Sequence, residues 1–212
     1  MPAFALATQR IATQLAAGVL LVSCAGRGGE DVGGSLTVDT SRLRAGDLIF
    51  REGPSPESHA VKLASGAQYS HVGLLCRDTL SQMWTVVHAV PDEDEPELVK
   101  QEPLALFLRS DRALSACTIR ISCPDSVADA AARYALGKVG TPFDTDYSLA
   151  DTTRLYCTEL VWQAYRHQGL DISRGQRHSV GAPGFTDSYI FPVDFIVHTE
   201  NEHIEHVRST ER

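Results

Sequence analysis

Apolar positions in this chain fall into a few periodic segments. Cys157, Leu160, Val161, Ala164 and Tyr165 follow the i, i+3, i+4, i+7, i+8 spacing of one buried helix face. Glu159 lies in the first predicted turn, and Gly169 stands where a stop belongs. A second helix is predicted over 127–139, capped by Asp125-Ser126 and ended by Gly140. Tyr69–Cys76 and Met83–Val90 are rich in Val, Leu and aromatics and read as strands, with a turn-like segment between them. Ala116–Cys123 reads as another strand, and Gly46-Asp47 as the turn into the first core strand. Pro91–Pro103 is acidic and reads as a solvated loop, and 171–190 as a loop or lid. These elements predict an α+β fold. An antiparallel, partly barrel-like sheet packs against the helix beginning at Cys157 and the helix near 127–139.

The N-terminus has a different pattern. Met1–Arg10 carries one positive charge, and Ile11–Ser23 is a mostly apolar run too short to span a bilayer comfortably. This is the shape of a secretory signal peptide. It ends in Leu21-Val22-Ser23-Cys24-Ala25, which resembles the lipobox of bacterial lipoproteins. The resemblance implies cleavage before Cys24 and acylation of that residue with palmitate-type chains. Residues 24–41, rich in Gly and polar side chains, then read as a lipidated tether with a reach of roughly 20–25 Å. Residues 42–212 read as one globular domain. The expected location is the bacterial cell envelope, at the periplasmic face of the inner or outer membrane.

Charge narrows the partners. The chain has a formal charge of −8, or −9 without the signal segment, which holds one arginine and no acid. An acidic chain with no basic cluster argues against nucleic acid and against polybasic attraction to anionic lipid. Four cysteines remain besides Cys24. Cys117 and Cys123 share one apparent strand and are too far apart to pair, whereas a bond from Cys76 to either is left open.

The chemistry centres on Cys157. A thiol at a helix N-terminus faces unpaired N–H groups and the positive end of the helix dipole, both of which favour the nucleophilic thiolate. A base comes from the predicted hairpin. Centred on Thr79 and Leu80, it pairs residues whose numbers sum to 159, which sets His71 opposite His88 on one face. His71 is then the candidate general base, and His88 the residue that fixes its tautomer. A backbone N–H at the helix start supplies part of an oxyanion hole. Tyr156 either lines the cleft as a binding residue or packs.

Ala45–Phe50 (AGDLIF), Tyr69–Leu74 (YSHVGL), Gly140–Asp144 (GTPFD) and Tyr156–Trp162 (YCTELVW) together resemble the successive motifs of the circularly permuted papain-like hydrolases. These are related to the NlpC-type cysteine peptidases, and the chain is most similar to the YiiX/YebB-like branch. His71 precedes Cys157, which is the permuted order. The resemblance implies a cysteine hydrolase with Cys157 as nucleophile and His71 as base. The third polar position falls on His88, where several relatives carry Glu. It implies cleavage of an amide bond through a thioester, with a peptide or peptidoglycan fragment as substrate. The permuted order also resembles the lecithin–retinol acyltransferase group, which implies a lipid acyl substrate instead. A non-catalytic binding domain is the third reading.

No Walker loop, dinucleotide fingerprint, GxSxG elbow or internal repeat is present. His198, His203 and His206 lack a metal-binding motif. No metal or cofactor is expected.

Overall fold

The computed structural model describes residues 35–91, 96–179 and 188–196, and the backbone at 205–206 and 208–209. Cys24, the signal segment, most of the tether, His198 and His203 lie outside the described residues. In chain order the elements are β1 (Leu36–Thr37), β2 (Leu48–Glu52), α1 (Pro56–Ser65), β3 (His71–Arg77), β4 (Trp84–Val90), β5 (Leu98–Pro103), α2 (Leu104–Phe107) and β6 (Ser115–Ile119). There follow α3 (Asp125–Leu136), α4 (Cys157–Arg166), β7 (His178–Ser179), β8 (Ser188–Tyr189), α5 (Val193–Ile196), β9 (Glu205–His206) and β10 (Arg208–Ser209).

An antiparallel sheet in the order β5-β4-β3-β2-β6-β9 organises the α+β fold. Side chains alternate across it. Leu48, Phe50, Val72, Leu74, Cys76 and Val87 join the core that contains Leu160, Val161, Ala164 and Tyr165 of α4 and Ala131 and Ala135 of α3. On the opposite face Ile49, Leu75 and Val86 pack with Leu104 and Phe107 of α2. β3 and β4 are buried on both faces, which explains their near-continuous apolar reading. The strand order is an open series, so the expected barrel-like curvature is not part of the described pairing.

Several expectations are corrected. The acidic loop is half strand: Leu98–Pro103 forms β5 and pairs along β4. Its outer side meets the turn after α3, where Val99 donates to the Thr141 carbonyl and Gly140 to that of Val99. An edge strand tolerates the polar composition that resembled a loop. The second helix starts earlier than expected, at Asp125, with Pro124 as its N-cap and no side-chain cap. It ends at Leu136, and tight turns carry the chain to Gly140, which has φ +90°. The strand read as Ala116–Cys123 stops at Ile119. Within 171–190, β7 and β8 pair.

Candidate active site

The start of α4 is set by its neighbours. Tyr156 is extended and serves as N-cap without a side-chain bond. The side chain of Glu159 instead accepts from the Tyr156 N–H, as in one arm of a capping box. Cys157 is the first helical residue, half-buried, with its sulfur near the backbone N–H groups of Val72, Thr158 and Cys157 itself. Val72 follows His71, so the thiol sits at the His71 end of β3. Burial pushes the thiol up to about 11, and these N–H groups and the charge of Arg51 only partly oppose it. The expected bias toward thiolate is therefore overridden. The helix start favours the anion, but removing sulfur from water costs more.

The histidines meet, but not in the expected register. Leu74 pairs with Val87 and Cys76 with Thr85, so partner numbers sum to 161. The cause is the turn. Asp78 donates its N–H to the Met83 carbonyl, its carboxylate accepts from the Leu80 and Ser81 amides, and Gln82 takes φ +57°. An even shift of two keeps every side chain on its face. His71 and His88 thus meet on a diagonal, with Nε2 of His71 2.8 Å from Nδ1 of His88. Gly73 lies between them, and a Cβ there would come within 3.1 Å of the His88 Cβ.

Glu102 and Arg51, neither singled out by the sequence pattern, complete the cluster. His88 Nε2 lies 3.1 Å from Glu102 Oε1. The approach is bent, and neither atom, both buried, forms a hydrogen bond to any other described residue. Glu102 Oε2 accepts from Arg112 at 3.1 Å. Arg51, the cross-strand partner of His71, donates to the Phe107 carbonyl, stacks 4.4 Å from the Phe107 ring centroid and lies 4.0 Å from Glu102. Burial opposes the Glu102 charge, but His88, Arg112 and Arg51 outweigh it and hold the carboxyl below its usual range. Burial, Arg51 and His88 hold His71 well below the usual imidazole range. Burial dominates at His88 too and lowers it to about 4 despite Glu102. Both rings are neutral at pH 7, and so is the thiol at the His71 end of β3.

Tyr156 packs. It is 2% exposed, and its hydroxyl accepts from the Ile190 amide. The Thr158 hydroxyl donates to the Ile190 carbonyl at 2.7 Å, so Ile190 is tied to both residues flanking Cys157. Tyr147, half-buried, lies within electrostatic reach of Cys157 and tilts against Tyr156, ring centroids 5.4 Å apart. It is a better candidate for the cleft wall than Tyr156. Cys76, Cys117 and Cys157 are free thiols, so Cys76 and Cys117 are not joined.

Three comparisons bear on the ancestry of this arrangement. The family model described as permuted papain-like amidase enzyme, YaeF/YiiX, C92 family, matches residues 42–190. The chain is 28% identical over 138 residues to the uncharacterized protein YiiX of Escherichia coli strain K12, which covers 63% of this chain. It spans 63% of the length of that curated relative. A crystal structure titled metalloprotein YiiX from Escherichia coli O157:H7 superposes with a TM-score of 0.61 at 21% identity, covering 80% of this chain and 98% of that one. That likeness shows a shared fold. The metal is said of that protein; among the described residues here, no group of three or more His, Cys, Asp or Glu side chains is placed to hold one. With a family match across most of the described chain and the histidine ahead of the cysteine, this protein belongs to the permuted papain-like amidase family, YaeF/YiiX type.

Proposed function

We propose that this protein is a lipid-anchored cysteine hydrolase of the bacterial cell envelope that cleaves an amide bond in a peptide or peptidoglycan fragment. The observation that carries the reading is the 2.8 Å bond between His71 and His88 beside a thiol set against the Val72 amide. It provides a nucleophile, a base and an orienter. His71 takes the thiol proton through Nδ1 as sulfur attacks the carbonyl carbon. A backbone N–H at the start of α4 receives the oxyanion. The tetrahedral intermediate expels the amine, which leaves with the proton from His71, and a thioester remains. His71 then deprotonates water, whose attack releases the acid and restores the thiol.

Because both partners rest neutral, proton transfer accompanies attack and no standing thiolate–imidazolium pair is required. The envelope location and the anchor at Cys24 rest on the N-terminal pattern. An intact mass of the membrane form with Cys24 unmodified would rule the anchor out. Turnover of peptidoglycan stem peptides tests the activity. Wild type should release a new amine, and Cys157→Ala should not. Cleavage of phospholipid acyl esters in place of peptides would move the protein to the lipid-acyl class.

A further inference from the structure

The cluster does not end at the second histidine. From β3 to β4 to β5, His71, His88 and Glu102 form a staircase in which each step is a diagonal between adjacent strands. His71 reaches past Gly73 to His88, and His88, whose cross-strand partner is Lys100, reaches two residues along to Glu102. Resting on the reading of Cys157 and His71 as nucleophile and base, we propose that Glu102 is a positioning residue. Its carboxylate sets the tautomers of both histidines and leaves the Nδ1 lone pair of His71 free for the thiol proton.

Glu102 is held ionised by Arg112 and Arg51 and can only accept. His88 Nε2 faces that carboxylate at 3.1 Å and has no alternative partner among the described residues. A bare lone pair there would face an anion in a buried site, whereas an N–H is attracted to it. Nε2 of His88 therefore carries the proton, and in a neutral ring Nδ1 is then a bare acceptor. Only one proton fits in the 2.8 Å gap to His71, so it belongs to Nε2 of His71. His71, also neutral, is left with an unprotonated Nδ1, the nitrogen not committed to His88. A carboxylate two strands from the nucleophile thus determines whether the base presents a lone pair or an N–H.

The same logic predicts what Glu102→Gln does. A carboxamide can offer an N–H to His88 Nε2. That reverses the chain: His88 protonates at Nδ1, His71 accepts at Nε2, and its Nδ1 becomes N–H and blocks proton uptake. The test is two-bond ¹H–¹⁵N NMR of ¹⁵N-histidine-labelled protein at pH 7, alongside steady-state kinetics. In wild type both rings should appear as the Nε2–H tautomer. In Glu102→Gln the Nδ1–H form should appear at both, with kcat reduced about tenfold or more and KM little changed, the sign of a wrong tautomer rather than lost binding. An Nδ1–H tautomer at His71 in wild type overturns the proposal, as do unchanged tautomers and kcat in the variant. If Glu102→Gln does not fold, the wild-type spectrum alone decides. Cys157→Ala separates the two readings: its tautomers should match wild type, and retained turnover in it would sink the nucleophile assignment without touching Glu102.

Discussion

His71 and His88 hydrogen-bond at 2.8 Å although they are not cross-strand partners. The diagonal depends on the missing side chain at Gly73. A Cβ there would lie 2.5 Å from Val86 Cγ1 and 3.0 Å from the Val87 carbonyl oxygen. Gly73→Ala should therefore destabilise the fold by about 1–3 kcal/mol through overpacking and lower kcat by spreading the two rings. The denaturation midpoint and kcat, measured together, check this. A variant that keeps both would show that β3 and β4 need no close approach here.

Arg51 should act on two titrations at once. It opposes protonation of His71 and favours ionisation of Cys157. Burial lowers Arg51 itself to about 10, so it stays charged at pH 7. Arg51→Met should slow alkylation of Cys157 at neutral pH and move the acid limb of activity upward. It also leaves the buried Phe107 carbonyl without its donor, at a cost of about 1–3 kcal/mol. Iodoacetamide rates against pH, compared with wild type, give the direction of both shifts.

The pH profile should be displaced to the acid side for a histidine-dependent enzyme. His71 is held well below the usual imidazole range and His88 at about 4, so the base stays unprotonated where a free histidine already charges. Stability has the same sign. Both folded-state values lie below the unfolded one, so protons bind the unfolded chain first as pH falls, and stability is lost from about 6.5 toward 4. For His88 alone the full loss is about 3 kcal/mol. Thermal melts at pH 7, 5.5 and 4.5 should show a falling midpoint. An activity limb near 6.5 would mean that His71 is exposed to water in solution.

Glu159 predicts an opposite slope at higher pH. Burial, with Asp144 nearby, raises its carboxyl to about 8, and Oε2 has no hydrogen-bond partner among the described residues. The folded state keeps a proton that the unfolded chain releases above about 4.5, so stability falls as pH rises from there through 8. Glu159→Gln removes that dependence and retains an acceptor for Gln163. It should raise the melting midpoint at pH 9 and change it little at pH 5. Equal midpoints at pH 9 would mean that the carboxyl ionises without penalty.

What was legible in the sequence followed from local periodicity. The α4 stripe and the two apolar strands are visible because burial on one or both faces leaves a regular trace. The face shared by His71 and His88 also survived an error in register, since the turn moved the pairing by two residues rather than one. The register itself depended on the Asp78 side chain organising the turn, a contact without periodicity. Glu102 was hidden inside an acidic run because an edge strand need not alternate, and its burial comes from pairing with β4 and from Arg51 and Arg112, distant in sequence or outside the strand pattern. The thiol was misjudged in the other direction: the helix start can be read locally, whereas the desolvation that outweighs it comes from tertiary packing of α4 on the sheet and α3.

The most direct test of the central claim is peptide mapping by mass spectrometry of protein quenched during turnover of a slowly hydrolysed acyl probe. The account predicts an acyl adduct on Cys157. It should be absent in Cys157→Ala and form far more slowly in His71→Ala, while Cys76, Cys117 and Cys123 remain unlabelled. An adduct on half-buried Cys123 at a comparable rate, or one on Cys157 that forms equally fast without His71, would contradict it.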